Sequence, residues 1–261
     1  MHGALNVAKT GMTAQDTNLK VISNNLANVS TVGFKRDKLV FEDLMYQVRR
    51  QPGAQSAEEA QLPSGLQVGL GVRTVGSQKL FSTGSIEITD EAFDVAINGR
   101  GFIPVTLPNG DAAYTRNGQL HLNADGEVVT AEGYLLDPVI NLPAEVTSFS
   151  ISSDGVVEVT TPGDGTPTQI GQLQLADFVN PQGLQALGQN LFQESAASGA
   201  PVLSNPGENG TGIMVQGALE GSNVNAVQEL VDMITTQRAY EMNSKVISTA
   251  DEMLSFVSQQ L

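Results

Sequence analysis

Toward the C-terminal end an apolar residue returns at every seventh position: Met233, Tyr240, Ile247, Leu254 and Leu261. That spacing is the seam of a coiled coil. Three residues beyond the first four stand Thr236, Asn243, Ala250 and Val257, a second seam position that is half polar. A helix over 224–261 would be about 55 Å long at 1.5 Å per residue, and alone it cannot bury the stripe. Comparable periodicity occurs at the other end, where Leu5, Met12, Leu19 and Leu26 alternate with Ala8, Gln15, Ile22 and Val29. The two ends are expected to pack together and to carry everything between them as an insertion. An ordinary helix pair inside a globular domain would show the same pattern.

The stretch between has another character. Only 16% of the 261 residues are charged, aromatics make up 5%, and there are 27 glycines, a composition that suits strands joined by tight turns. From Gln67 onward apolar residues alternate through Val68, Leu70 and Val72, then from Thr74 to Phe81 and from Phe93 to Leu107. Hairpin turns are expected at Pro108-Asn109-Gly110, Arg116-Asn117-Gly118, Ala124-Asp125-Gly126 and Ser153-Asp154-Gly155, because Asn-Gly and Asp-Gly supply the positive φ of two-residue turns. Phe149–Thr160 and Thr168–Phe178 read as further strands, and Ile213–Leu219 as a strand leading back to the long helix. The fold class is therefore α+β, a discontinuous helical coiled-coil domain from both termini carrying an inserted all-β domain. Its divisions are 1–30 with 224–261 for the helices, 31–73 with 213–223 for the linkers, and 74–212 for the β domain.

Helix-stopping Asn, Ser, Thr and Gly crowd Asn24–Gly33 and end the first helix. Lys38–Met45 suits a short helix or a strand equally. Tyr46–Pro63 holds Arg49, Arg50, Pro52 and Pro63 and reads as an extended or looping segment whose prolines deny it regular pairing.

Charge and composition narrow the function. A net charge of -15 argues against nucleic acid, whose binding rests on Lys and Arg neutralising phosphates. Between Gly101 and Gln237 the only basic residue is Arg116, whereas Lys35, Arg36, Lys38, Arg49 and Arg50 cluster early. No run of 18 apolar residues is present, so no membrane insertion is expected. The opening Met1-His2-Gly3-Ala4 lacks the basic and apolar regions of a cleavable secretory signal. Without cysteine the chain has no disulfide, thiolate nucleophile or Cys-ligated metal.

Catalytic patterns are weak. Asn123–Glu127 lacks the spaced ligands and distant Glu of a calcium loop, and neither Gly69-Leu70-Gly71 nor Gly99-Arg100-Gly101 leads into a helix with a lysine. His2 and His121 are the only histidines, and no serine sits on a nucleophile-elbow pattern. No enzymatic activity, cofactor or metal is expected.

The stretch Asn24-Asn25-Leu26-Ala27-Asn28 through Gly33-Phe34-Lys35-Arg36 resembles the N-terminal signature of the bacterial flagellar rod and hook proteins. Ser222-Asn223-Val224-Asn225, Glu229-Leu230-Val231, Met233-Ile234 and Gln237-Arg238-Ala239-Tyr240-Glu241 resemble the C-terminal signature of the same family. Asp94–Gly99, Gly101-Phe102 and Tyr114-Thr115-Arg116-Asn117-Gly118 are similar to its shared β domain. Within the family, Tyr46–Ser56 and Leu62–Gly65 resemble the segment typical of the distal rod, with the proximal rod and the hook as near alternatives. The resemblance implies a structural subunit that self-assembles into a helical tube, the drive shaft carrying torque to the hook. It implies as partners the proximal rod proteins, the hook protein, the P-ring and L-ring proteins and the flagellar type III export apparatus. It implies a location in the basal body, from the periplasm to the outer membrane. Leu5, Met12, Leu19, Leu26, Met233, Tyr240, Ile247, Leu254 and Leu261 would then drive self-assembly, and Tyr46, Arg49, Arg50, Pro52 and Pro63 would mark the rod-specific segment. A secreted β-domain carbohydrate-active or carbohydrate-binding protein, dimerised by its helices, is the reading from another class.

Overall fold

The computed structural model describes residues 2–53, 55–57, 60–61, 63–143, 145–162 and 166–259. The architecture is α+β: helix α1 spans His2–Ala27, helix α2 spans Ala226–Gln259, and the chain between them is built of short strands. It divides into two compact units. The first holds Met1–Ala27, Asp37–Gln78 and Asn225–Leu261, and the second holds Asn28–Arg36 and Lys79–Val224.

In the first unit α1 packs against α2. The start of α2 is set by Asn225, whose side-chain oxygen accepts from the Val227 and Gln228 amides at 3.1 and 3.3 Å and so satisfies donors the first turn leaves open. Asp37–Asp43 is a strand, which resolves the ambiguity of 38–45, and it pairs with Val72–Lys79. The expectation of an unpaired 46–63 needs correction. Tyr46–Arg50 pairs antiparallel with Leu66–Gly69, and Gln55–Ala57 pairs with Ala60–Gln61. Pro52 lies in a turn and Pro63 in a bend, so neither takes a donor out of a ladder. At Gly65 a Cβ would lie 2.4 Å from the Arg50 carbonyl oxygen, which is why a glycine carries the returning chain.

The second unit is built on a seven-stranded antiparallel sheet. Its order is Leu120–Leu122, Val128–Thr130, Leu135–Leu136, Ile103–Thr106, Ala112–Thr115, Leu191–Gln193 and Gln185–Gly188. Ser148–Ile151, Val156–Thr160 and Thr168–Gln172 form a three-stranded sheet. Val95, Ile97, Ile103, Val105, Leu136, Val157 and Leu175 fill the main core, and Phe102, Tyr114, Phe178 and Phe192 fill a second one through edge-to-face contacts. Three of the four anticipated turns close hairpins. Arg116-Asn117-Gly118 does not, because the strands on either side of it pair with other neighbours. Asn117 instead folds the chain locally: its amide donates to Thr115 Oγ1, and its side chain accepts from the Gln119 amide. Gly118 lets the backbone run against Val95, where a Cβ would fall 1.6 Å from the carbonyl oxygen.

Candidate assembly interface

The contacts between α1 and α2 follow one rule. Gly11 faces Asn243, with its Cβ position 3.0 Å from Nδ2. Asn18 Nδ2 donates to Thr236 Oγ1 at 3.1 Å, and Asn25 Nδ2 donates to Glu229 Oε2 at 3.3 Å. Each step of seven up α1 is matched by a step of seven down α2, so the helices are antiparallel in a fixed register. The line between them is polar. Asn25 is buried, and its amide also bonds both the amide and the carbonyl of Asp37 at 2.9 Å. Buried amides cost stability when unpaired, so this ladder discriminates against a slipped register.

The anticipated assembly residues flank that ladder. Leu5, Met12, Leu19 and Leu26 are half-buried, as are Met233, Ile247 and Leu254; Tyr240 is 36% exposed, and Leu261 lies outside the described residues. Among the described side chains of α2 the buried ones are Glu229, Thr236 and Ala250. The large aliphatic side chains point elsewhere. At about 100° per residue, Val227, Val231 and Ile234 in the first turns of α2 lie on the side opposite that seam with Leu230 beside them, and all four are exposed. Val227 keeps 72% of its surface and Ile234 51%. The seven-residue count missed this stripe because it recurs at steps of three and four without holding a heptad. Of the rod-specific segment, Tyr46, Arg49, Arg50, Pro52 and Pro63 are all exposed. Among the described residues no group of three or more His, Asp or Glu is arranged to hold a metal, and no helix is long and apolar enough to cross a membrane.

A buried ion cluster in the second unit was not anticipated. Glu220 accepts from Lys35 Nζ at 2.5 Å and from Arg116 Nη1 at 3.0 Å, with all three side chains essentially sealed from solvent. The Gly84 amide donates to Glu220 Oε1, Lys35 also donates to the Ser82 carbonyl, and Arg116 also donates to the Gly99 carbonyl. Burial holds the Lys35 pKa below its ordinary 10.5, opposed by the Glu220 charge. The one sequence clue was that Arg116 stands alone in a long stretch without bases. Nearby Asn223 fastens three segments, accepting from the Arg36 amide and donating to the Leu80 and Ser82 carbonyls.

Three family descriptions match the chain: "Flagella basal body rod protein" over residues 5–35, "Flagellar hook protein FlgE/F/G D1 domain" over 96–159, and "Flagellar basal body rod FlgEFG protein C-terminal" over 215–260. The flagellar basal-body rod protein FlgG of Buchnera aphidicola (from Schizaphis graminum) is 54% identical over 97% of both chains. The FlgG protein of Caulobacter vibrioides is 49% identical over 98% of both, and that of Bacillus subtilis is 38% identical over 94% of both. The chain belongs to the FlgG family of flagellar basal-body rod proteins. The FlgG family stretches coincide with the geometry. Lys35, Arg116 and Glu220 come one from each matched stretch, and the α1–α2 ladder joins the first stretch to the last.

Proposed function

We propose that this chain is a non-enzymatic structural subunit of the flagellar basal-body rod and that it builds the distal rod, a straight tube carrying torque from the motor to the hook. The observation that carries the reading is the exposed aliphatic face of α2, lying opposite a seam already filled by α1. A cluster of four exposed aliphatic side chains in the first turns of α2 marks a surface that other chains cover. In the tube the paired terminal helices form the inner wall as a coiled coil, with the β domain inserted between them and set outside. The half-buried Leu5, Met12, Leu19, Leu26, Met233, Ile247 and Leu254, together with Tyr240 and Leu261, complete that wall. The proximal rod and the hook adjoin its two ends. The P-ring and L-ring surround it, the type III apparatus exports its subunits, and the tube spans the periplasm to the outer membrane.

The acidic side chains suit a shaft turning inside a sleeve. Asp111, Asp125 and Asp154 are exposed, and Glu127 and Glu158 are half-buried. Among the described residues none of these five forms an ion pair; Asp164 lies outside them. Dense like charge keeps a surface hydrated and free of adhesion. The test is electron microscopy of the concentrated full-length chain, native and Val231→Asp. Tubes from the native chain, and dispersed particles that keep the native β-sheet circular dichroism from the variant, are expected. A native chain that stays monodisperse at every concentration overturns the reading.

A further inference from the structure

The first unit also carries a groove of about 640 Å³ along α1, on a side of that helix away from α2. One wall is Thr10, Thr13, Ala14 and Thr17; the other is Leu44, Leu70 and Val72. The three threonine hydroxyls donate inside their own helix, to the Val7, Lys9 and Thr13 carbonyls at 2.8, 3.1 and 3.0 Å. Their donors are thus engaged, and the wall presents methyl groups and short side chains, the kind of surface that lets a second backbone come close. The first turns of α2 offer the converse: the bulky Val227, Leu230, Val231 and Ile234, all exposed. Charge agrees with shape. Lys9 and Arg73 border the groove, Arg73 already paired with Glu42 at 2.9 Å, whereas the start of α2 carries Glu229, which is buried on Asn25, and Asp232, with no basic residue before Arg238. Among the described residues neither Lys9 nor Asp232 has an oppositely charged partner.

We infer that the α2 stripe of one copy docks in the α1 threonine groove of the next. The stripe lies on the side of α2 turned away from α1, so it cannot enter the groove of its own chain. The contact joins two different surfaces and leaves one of each free at the ends, the arrangement that grows without closing. The positive charge of Lys9 in the receiving copy then meets first turns of α2 that carry carboxylates and no base. The inference rests on the rod-subunit reading and names the surface that receives the stripe.

The absence of cysteine makes disulfide trapping a clean test. Two double variants of the full-length chain, Thr13→Cys with Ile234→Cys and Thr17→Cys with Val231→Cys, are concentrated and oxidised, then run on denaturing gels beside the four single variants. Both members of each pair project away from the α1–α2 seam, too far apart for a bond within one chain. A ladder of disulfide-linked dimers, trimers and higher species from at least one double variant, with dimers at most from any single variant, is the expected result. Tubes that form without a ladder from either double variant overturn the docking while leaving the rod reading in place, and so does cross-linking that stops at dimers. If the native chain forms no tubes, the rod reading falls and the inference falls with it.

Discussion

Asn25 and Glu229 meet at 3.3 Å although 204 positions separate them, and both are buried. The pair closes the α1–α2 ladder at the end where α1 terminates and α2 begins. Glu229 lies in the first turn of α2, where a carboxylate is favoured by the exposed amide dipoles. The two helices are therefore aligned by hydrogen bonds as well as by apolar contact, and the alignment fixes which side of α2 is left exposed.

The ladder predicts an unequal pair of substitutions. Asn25→Ala removes the bonds to Asp37 and Glu229 together and leaves buried polar groups unpaired, so it should cost about 2–4 kcal/mol. Ser23→Ala, on an exposed position of the same helix, should change stability by less than about 0.5 kcal/mol. Urea unfolding followed by helical circular dichroism reads both.

In the ion cluster, Glu220 is the centre. Glu220→Ala leaves Lys35 and Arg116 as buried cations without a counter-charge, a loss of about 3–5 kcal/mol. Lys35→Met leaves Glu220 with Arg116 and the Gly84 amide, and the expected cost is below about 2 kcal/mol. Thermal unfolding should rank them in that order, and equal losses would contradict the geometry.

The same cluster sets a pH dependence. Burial lowers the Lys35 pKa in the folded state relative to 10.5, so between the two values the unfolded chain binds more protons than the folded one. Stability then rises with pH across that window. In Lys35→Met this rise should vanish, which denaturant titrations carried from neutral pH up to 10.5 would reveal.

Two glycines separate steric need from backbone conformation. A Cβ at Gly118 would lie 1.6 Å from the Val95 carbonyl oxygen, whereas Gly110 has φ +85° and open space around it. Gly118→Ala should destabilise by more than about 3 kcal/mol or prevent folding, and Gly110→Ala by about 1–2 kcal/mol from left-handed strain alone. Expression as soluble protein and melting temperature distinguish them.

Much of this was legible in the chain. Heptads located both helices, and Asn-Gly and Asp-Gly turns located three hairpins, because those signals are local. The partner of Arg116 was not legible, since Glu220 lies in an ordinary-looking strand and only tertiary folding brings Lys35 to it. The strands inside 46–63 were masked by Pro52 and Pro63, which punctuate the pairing without interrupting it. The exposed stripe on α2 was hidden for a different reason: an apolar count does not tell which face a partner helix will take, and here the partner took the polar and small face of Thr236, Asn243 and Ala250.

The segment Tyr46–Pro63 supplies the last prediction. Tyr46–Arg50 and Leu66–Gly69 form a two-stranded hairpin, and all five residues of the first strand are exposed. Such a hairpin is marginal in water by itself, so its order within the tube must come from neighbouring chains. Arg49 and Arg50 have no ion-pair partner among the described residues and are free to reach acidic side chains of adjacent copies, each contact adding up to about 1 kcal/mol. In the proposed tube, repetition of that preference at every subunit would select one spacing and keep the tube straight. The neck of the hairpin is closed independently, by the Leu44 amide on the Gly71 carbonyl at 2.8 Å and the Leu70 amide on the Met45 carbonyl at 3.2 Å. Deleting 46–63 should therefore preserve folding and polymerisation, because the neck, α1 and α2 remain, and should yield curved or flexible tubes in electron micrographs. Straight tubes of normal length from the deleted chain would make the segment a solvated linker and remove it from the origin of stiffness.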